Sequence, residues 1–214
     1  MLDNADSTTT IYTPELEERV EVWAKAKIAP NRIPHVENVV QTAETLARHY
    51  APDSVMPARL AGWIHDSAKH WSDEELMAFA SANGLRVSPA ERATPMLLHG
   101  AVGYELANAI FGFDDPLLRD ACAYHTTGAP GMGPLAKIVF LADMIEPGRD
   151  FPGVNVLRSE AERDLDMAVL HAADHTLRYL INKQRPADPR ALLFRNELLA
   201  QGVRYPREVS SSEC

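Results

Sequence analysis

Six residues carry the chemistry open to this chain: His35, the adjacent pair His65-Asp66, His99, His125 and Asp143. Gaps of 18 to 34 residues separate them along the sequence. All are types that bind a metal through neutral imidazole nitrogen or carboxylate oxygen. The His-Asp pair alone says little, and a lone His is more often a surface or satisfied core residue than a ligand. The neighbours say more. Ile64-His65-Asp66-Ser67-Ala68-Lys69 ends an apolar stretch, and Leu98-His99-Gly100 follows Met96-Leu97. Tyr124-His125-Thr126-Thr127-Gly128 closes a helical segment, and Phe140-Leu141-Ala142-Asp143 lies in the most apolar one. Imidazoles and carboxylates among such neighbours need partners, because burying them unpaired is costly. A shared metal supplies one, and the chemistry it points to is hydrolytic.

The elements that must gather these residues read as helices. Thr13-Pro14 opens the first, with Glu15, Glu17 and Glu18 in its first turn and Leu16, Val20 and Trp23 as its buried stripe. Pro34 opens the second, with Val36, Val39, Val40, Ala43, Leu46 and Ala47 inward and His35 in its first turn. Pro57 opens the third, which is expected to carry Leu60, Ala61, Ile64, His65 and Asp66. Ser72-Asp73-Glu74-Glu75 reads as a capping box, and Asn83-Gly84 as its helix stop. Ser88-Pro89 starts a longer segment that carries His99 and ends near Gly112. Asp115-Pro116 opens the helix that ends after His125, and Leu135 to Glu146 is helical with Asp143 inside. Residues 156–181 read as one long helix, and Asp188-Pro189 starts the last. Strand signals are nearly absent. The expectation is an all-α helical bundle with the polar site in its core.

Composition bounds the rest. The chain has 214 residues, 46% of them hydrophobic and 24% charged, which suits one soluble globular core. The expected organisation is a disordered tail at 1–11, one domain at 12–203 with its metal-binding core at about 30–150, and a disordered tail at 204–214. No run of 18 apolar residues exists, so no membrane span is expected. The polar, acidic start does not read as a signal peptide. Two cysteines, Cys122 and Cys214, make no disulfide framework, and a cytoplasmic location is expected. A net charge of −9 argues against a nucleic-acid partner but leaves an anionic small substrate open.

The ordered set His, His-Asp, His, His, Asp resembles the signature of the HD-domain metal phosphohydrolase superfamily. The stretches Arg32-Ile33-Pro34-His35, His125-Thr126-Thr127-Gly128 and Ala142-Asp143-Met144-Ile145-Glu146-Pro147-Gly148-Arg149 narrow it. They resemble the YqeK family of bacterial HD hydrolases, which cleave diadenosine tetraphosphate symmetrically into two ADP. The similarity runs from about residue 15 to 183. Where many relatives have Ser this chain has Val36, and Ser67 stands where a bulkier apolar residue is common; neither removes a ligand.

The resemblance implies that His35, His65, Asp66 and Asp143 hold one metal, with iron favoured and manganese or cobalt also suited. It implies that His99 and His125 hold a second ion or contact phosphate, with Asp66 between the two sites. Asp66, Lys69 and His99 would serve catalysis. Nucleotide or phosphate contacts fall to His35, Lys69, His99, His125, Thr126, Asp143 and Arg149. The partners implied are a dinucleoside polyphosphate and its ADP product, and a homodimer is left open.

Physical reasoning supports these roles separately. A metal neutralises polyphosphate charge as a Lewis acid and lowers the pKa of bound water. Lys69 lies three positions after Asp66, and Arg149 can reach round a helix end with a bidentate fork. Read from position alone, Lys69 and Arg149 are equally solvated cations, Thr126 and Thr127 polar helix-end residues, and Asp143 a buried ion-pair partner. Two other functions stay open: an HD nucleotidase or nucleoside triphosphate hydrolase on the same centre, and a nucleotide-binding regulator without turnover. The remaining histidines read as bland. His49 and His70 are expected to be exposed. His171 and His175 lie one turn apart, but no adjacent carboxylate completes a zincin-type motif.

Overall fold

The structure, a computed structural model, describes residues 12–206. Among them the regular structure is helical: α1 (Pro14–Lys27), α2 (Ile33–Tyr50), α3 (Val55–Ile64), α4 (Asp73–Ala82), α5 (Pro89–Ala93), α6 (His99–Phe111), α7 (Pro116–Tyr124), α8 (Pro134–Ile145), α9 (Val154–Ala161), α10 (Leu165–Asn182) and α11 (Pro189–Ala200). Short 3-10 turns at Pro30–Arg32, Pro52–Ser54 and Pro95–Leu98 lead into α2, α3 and α6. The all-α expectation holds.

Local chemistry sets the helix starts. Thr13 Oγ1 accepts from the Leu16 N–H, and Asp115 Oδ1 accepts from Leu117 and Leu118. Ser72 with Glu75 and Ser88 with Glu91 form complete capping boxes. Apolar faces then pack. α2 lies on α3 and α8, α7 lies between α6 and α8, and α10 joins α8 to α9 and α11. Val36, Val39, Ala43, Leu60, Ile64, Ile138, Val139 and Leu141 are wholly buried there. Each large aliphatic side chain buried in this way contributes roughly 1.5–3 kcal/mol, so the frame around the polar centre is a packed one. Cys122 is buried within it, and burial pushes its thiol well above the usual range.

Four boundaries differ from the sequence reading. The third helix begins at Val55 and ends at Ile64, so His65 caps it and Asp66 sits in the tight turns that follow. The segment from Pro89 to Gly112 is interrupted at Thr94-Pro95, because proline has no N–H to continue the ladder and disfavours helix at the residue before it. The segment expected as one helix over 156–181 is two. Asp164 adopts an extended backbone, and its carboxylate accepts from the Met167 N–H at 2.9 Å, starting α10 afresh. The packed chain also runs past the boundary expected at 203. Tyr205 stacks on His171 and donates to Asp174 Oδ2. The expected tail at 1–11, and residues 207–214 of the one expected at 204–214, lie outside the described residues.

Candidate metal centre

The six residues meet in one place. His35 comes from the first turn of α2, and His65-Asp66 from the end of α3. His99 stands at the start of α6, His125 at the end of α7, and Asp143 in the last turn of α8. Helix ends are where backbone carbonyls lack intrahelical partners, and the site uses them. His65 Nδ1 donates to Gly62 O at 2.7 Å, His99 Nδ1 to Met96 O at 2.6 Å, and His125 Nδ1 to Cys122 O at 2.7 Å. Each acceptor is the carbonyl three residues back. His35 Nδ1 instead meets Glu146 Oε1 at 3.1 Å. With every Nδ1 tied, each ring offers the Nε2 lone pair to the centre, the tautomer that metal-ligating histidines use.

Asp66 lies among these rings. Its Oδ2 is 3.7 Å from His35 Nε2 and 3.6 Å from His65 Nε2. Its Oδ1 is 3.2 Å from His99 Nε2 and 3.9 Å from His125 Nε2. His99 and His125 bring their Nε2 atoms to 3.1 Å from each other, and His35 Nε2 is 3.2 Å from Asp143 Oδ1. Two overlapping sets, His35-His65-Asp143 and His65-Asp66-His125, each bring their ligand atoms within 4.8 Å of one another. This is a candidate metal-binding cluster. His99 falls outside those two sets but stands at the Asp66 Oδ1 end.

Whether the residues fit a metal can be judged from their own atoms. His35 Nε2 and His65 Nε2 are buried and make no hydrogen bond. Leaving such atoms unsatisfied costs about 1–3 kcal/mol each. A cation shared with the flanking carboxylates would satisfy both. The electrostatics agree. Burial holds the His65 imidazole below its usual pKa, and burial together with His99 and His65 holds His125 well below. Both are therefore neutral, the ligand form. Burial alone would raise Asp66 and Asp143. For Asp66, His65, His99 and Lys69 outweigh it; for Asp143, His35 and Arg149 do, so both stay far below the carboxylate range. For His35, burial pulls downward but Asp143 and Glu146 win, and its pKa is raised.

The cations and hydroxyl expected near the centre are there. Lys69 Nζ donates to His99 Nε2 at 3.1 Å and lies 3.7 Å from Asp66 Oδ1. Arg149 Nε donates to the Asp143 carbonyl at 2.7 Å, and its NH2 group pairs with Asp143 Oδ1. Thr126 Oγ1 is 3.0 Å from His125 Nε2, whereas Thr127 turns to the Gly128 carbonyl. His49 and His70 are exposed, as expected.

Two residues at the centre were missed by the sequence reading. Arg32, one turn before His35, pairs with Asp66 Oδ2. Glu146 is buried and ties three things together: His35 Nδ1, the Asn38 amide at 2.9 Å and the Gly148 N–H. The available signal was spacing, since both stand three residues from a ligand on a helix or its end. Two glycines let α6 come this close. A Cβ on Gly100 would lie 2.1 Å from the Cys122 carbonyl that anchors His125, and one on Gly103 would lie 2.6 Å from Ser67 Oγ.

The comparisons with known proteins agree with this geometry. The HD domain family model matches residues 32–148, which span all six ligand-type residues of the centre. A symmetrical bis(5'-nucleosyl)-tetraphosphatase of Bacillus subtilis is 35% identical over 183 residues, covering 86% of this chain and 97% of its own. Another of that name, from Staphylococcus aureus, is 32% identical, covering 78% of this chain and 86% of its own. A solved structure from Clostridium acetobutylicum, described as a predicted HD superfamily hydrolase involved in NAD metabolism, superposes with a TM-score of 0.81 at 34% identity. It covers 86% of this chain and 97% of that one. No helix among the described residues is long and apolar enough to cross a membrane. The chain is an HD-domain hydrolase and belongs to the family that includes the symmetrical bis(5'-nucleosyl)-tetraphosphatases.

Proposed function

We propose that this hydrolase cleaves diadenosine tetraphosphate symmetrically, giving two ADP. The observation that carries the reading is the placement of Asp66, with one carboxylate oxygen toward His35 and His65 and the other toward His99 and His125. The named relatives, which match across nearly their whole length, support the substrate. His35, His65, Asp66 and Asp143 would hold one ion, and His99 and His125 a second, with Asp66 shared. Iron is the favoured metal, with manganese and cobalt suited to the same nitrogen and oxygen donors. When bound, the metal supplies Lewis-acid neutralisation of phosphate charge and lowers the pKa of the hydrolytic water.

The chain's own residues do the rest. Arg32, Lys69 and Arg149 stand round the centre with part-exposed cationic heads, and they bind and orient a tetraphosphate. Lys69, with its Nζ 3.7 Å from Asp66 Oδ1, neutralises charge growing on the departing ADP oxygen. Thr126 offers a hydroxyl on the His125 side. Water adds to one of the two central phosphorus atoms, the bridging P–O bond breaks, and each half leaves as ADP. A cytoplasmic setting fits both the substrate and the cysteine usage.

Hydrolysis in 18O-water tests the point of attack. One of the two ADP molecules formed should carry a single 18O on its β-phosphate. Label recovered in AMP or ATP would overturn central attack.

A further inference from the structure

The structure holds a second cavity, walled by one face of α10 and the loop into α9. Its volume is about 490 Å³, and it is lined by His171, His175, Arg178, Tyr205, Leu157 and Pro152, among others. The size lies within the range of small-molecule sites. None of these residues contributes a ligand atom to the metal centre.

The polar groups are built into position. His171 Nδ1 meets Glu160 Oε2 at 2.8 Å, and Glu160 is itself buried. Asp174 adjoins His175 in sequence but pairs with Arg195, and the carboxylate that His171 meets comes from 11 residues upstream. Tyr205 stacks on the His171 ring, with centroids 4.1 Å apart and planes within 8°. That imidazole is held on one edge and one face, which leaves Nε2 as its remaining polar atom. His175, one turn on, packs on Phe151 at 4.4 Å between centroids. Burial, then the charges of Arg178 and His171, lower its pKa. Arg178 completes the face, in the same cavity lining as Tyr205.

Arg178 supplies positive charge on this face and His175 can donate a ring N–H, so the groups suit an anion. Two carboxylates that touch these groups are already engaged, Glu160 by His171 and Asp174 by Arg195 and Tyr205. Two imidazoles and a guanidinium thus stand along one helix face at intervals of about a turn. Arg178 suits a phosphate, since a guanidinium presents paired donors. Leu157, Pro152 and the exposed parts of the aromatic rings suit a flat ring. We infer that this cavity binds a nucleoside phosphate, with Arg178 and His175 on the phosphate and the apolar wall under the base.

The site would not be isolated from the centre. Pro152 and Gly153 belong to the same loop as Arg149, whose guanidinium sits on Asp143. The occupant could come from two sources, the far half of a long dinucleotide or a separate mononucleotide. The inference does not rest on which bond the metal centre cleaves.

The test is calorimetric titration of ADP into metal-stripped full-length protein, with wild type, Arg178→Ala, His175→Ala and, as control, Lys27→Ala, an exposed cation on α1. The expected result is ADP binding that weakens at least tenfold in Arg178→Ala and His175→Ala but stays within twofold in Lys27→Ala. Circular dichroism checks that the exposed Arg178→Ala variant keeps its helices. Undetectable ADP binding, or equal binding in wild type and the two cavity variants, would overturn the inference. Steady-state constants of the metal-loaded protein separate the sources. A raised KM for diadenosine tetraphosphate in Arg178→Ala marks the far half of the substrate, and unchanged constants mark a separate nucleotide.

Discussion

Glu146 fixes His35 by accepting at Nδ1, and its other oxygen takes the Asn38 amide and the Gly148 N–H. A histidine oriented in this way binds metal more tightly than a free one, and removing such a partner typically costs 10–100-fold in affinity. Glu146→Ala should weaken metal binding by that factor, measured by competition with a chromophoric chelator. Glu146→Gln keeps an acceptor and should lose less; equal losses in the two variants would contradict the role. Neither Glu146 nor Arg32 stood out by residue type, because a carboxylate or guanidinium near a helix end is ordinary. Their partners are 111 and 34 residues away in sequence, so only the fold brings them into use. The six ligand-type residues were legible because their types are chemically rare among apolar neighbours.

At the scale of elements, α6 is the piece with least room. Gly100 faces the Cys122 carbonyl, and a methyl there would lie 2.1 Å from a backbone oxygen that anchors His125. Gly100→Ala should destabilise the protein by about 1–3 kcal/mol. At roughly 2–4 °C per kcal/mol for a domain of this size, a thermal melt reads the loss directly. An unchanged Tm would show that α6 and α7 can separate without cost. Caps made most helix starts legible, as at Ser72, Ser88 and Asp115. The break between α9 and α10 was hidden because Leu157, Ala161, Leu165 and Ala168 keep a helical period across it. There Asp164, capping Met167, outweighs periodicity, and one Asp among the charged residues Glu160, Glu162, Arg163 and Asp166 gives no clear signal.

Across the whole molecule, the metal centre is a polar core inside a frame that apolar packing already holds. Val36, Ile64, Leu141 and their neighbours are buried against one another in a single apolar cluster. Chelation should therefore leave helical content by circular dichroism nearly unchanged while lowering Tm. Restoring metal at a hundredfold over its Kd should return about 2.7 kcal/mol through linkage. Collapse of the helical signal on chelation would mean that the frame depends on the ion. The central claim concerns the reaction, and product chromatography tests it most directly. Metal-reconstituted protein, beside an Asp66→Ala control, is incubated with diadenosine tetraphosphate. The account predicts ADP as sole product, formed by the wild type and lost in the control. AMP with ATP, or ADP formed equally by the Asp66→Ala protein, would contradict it.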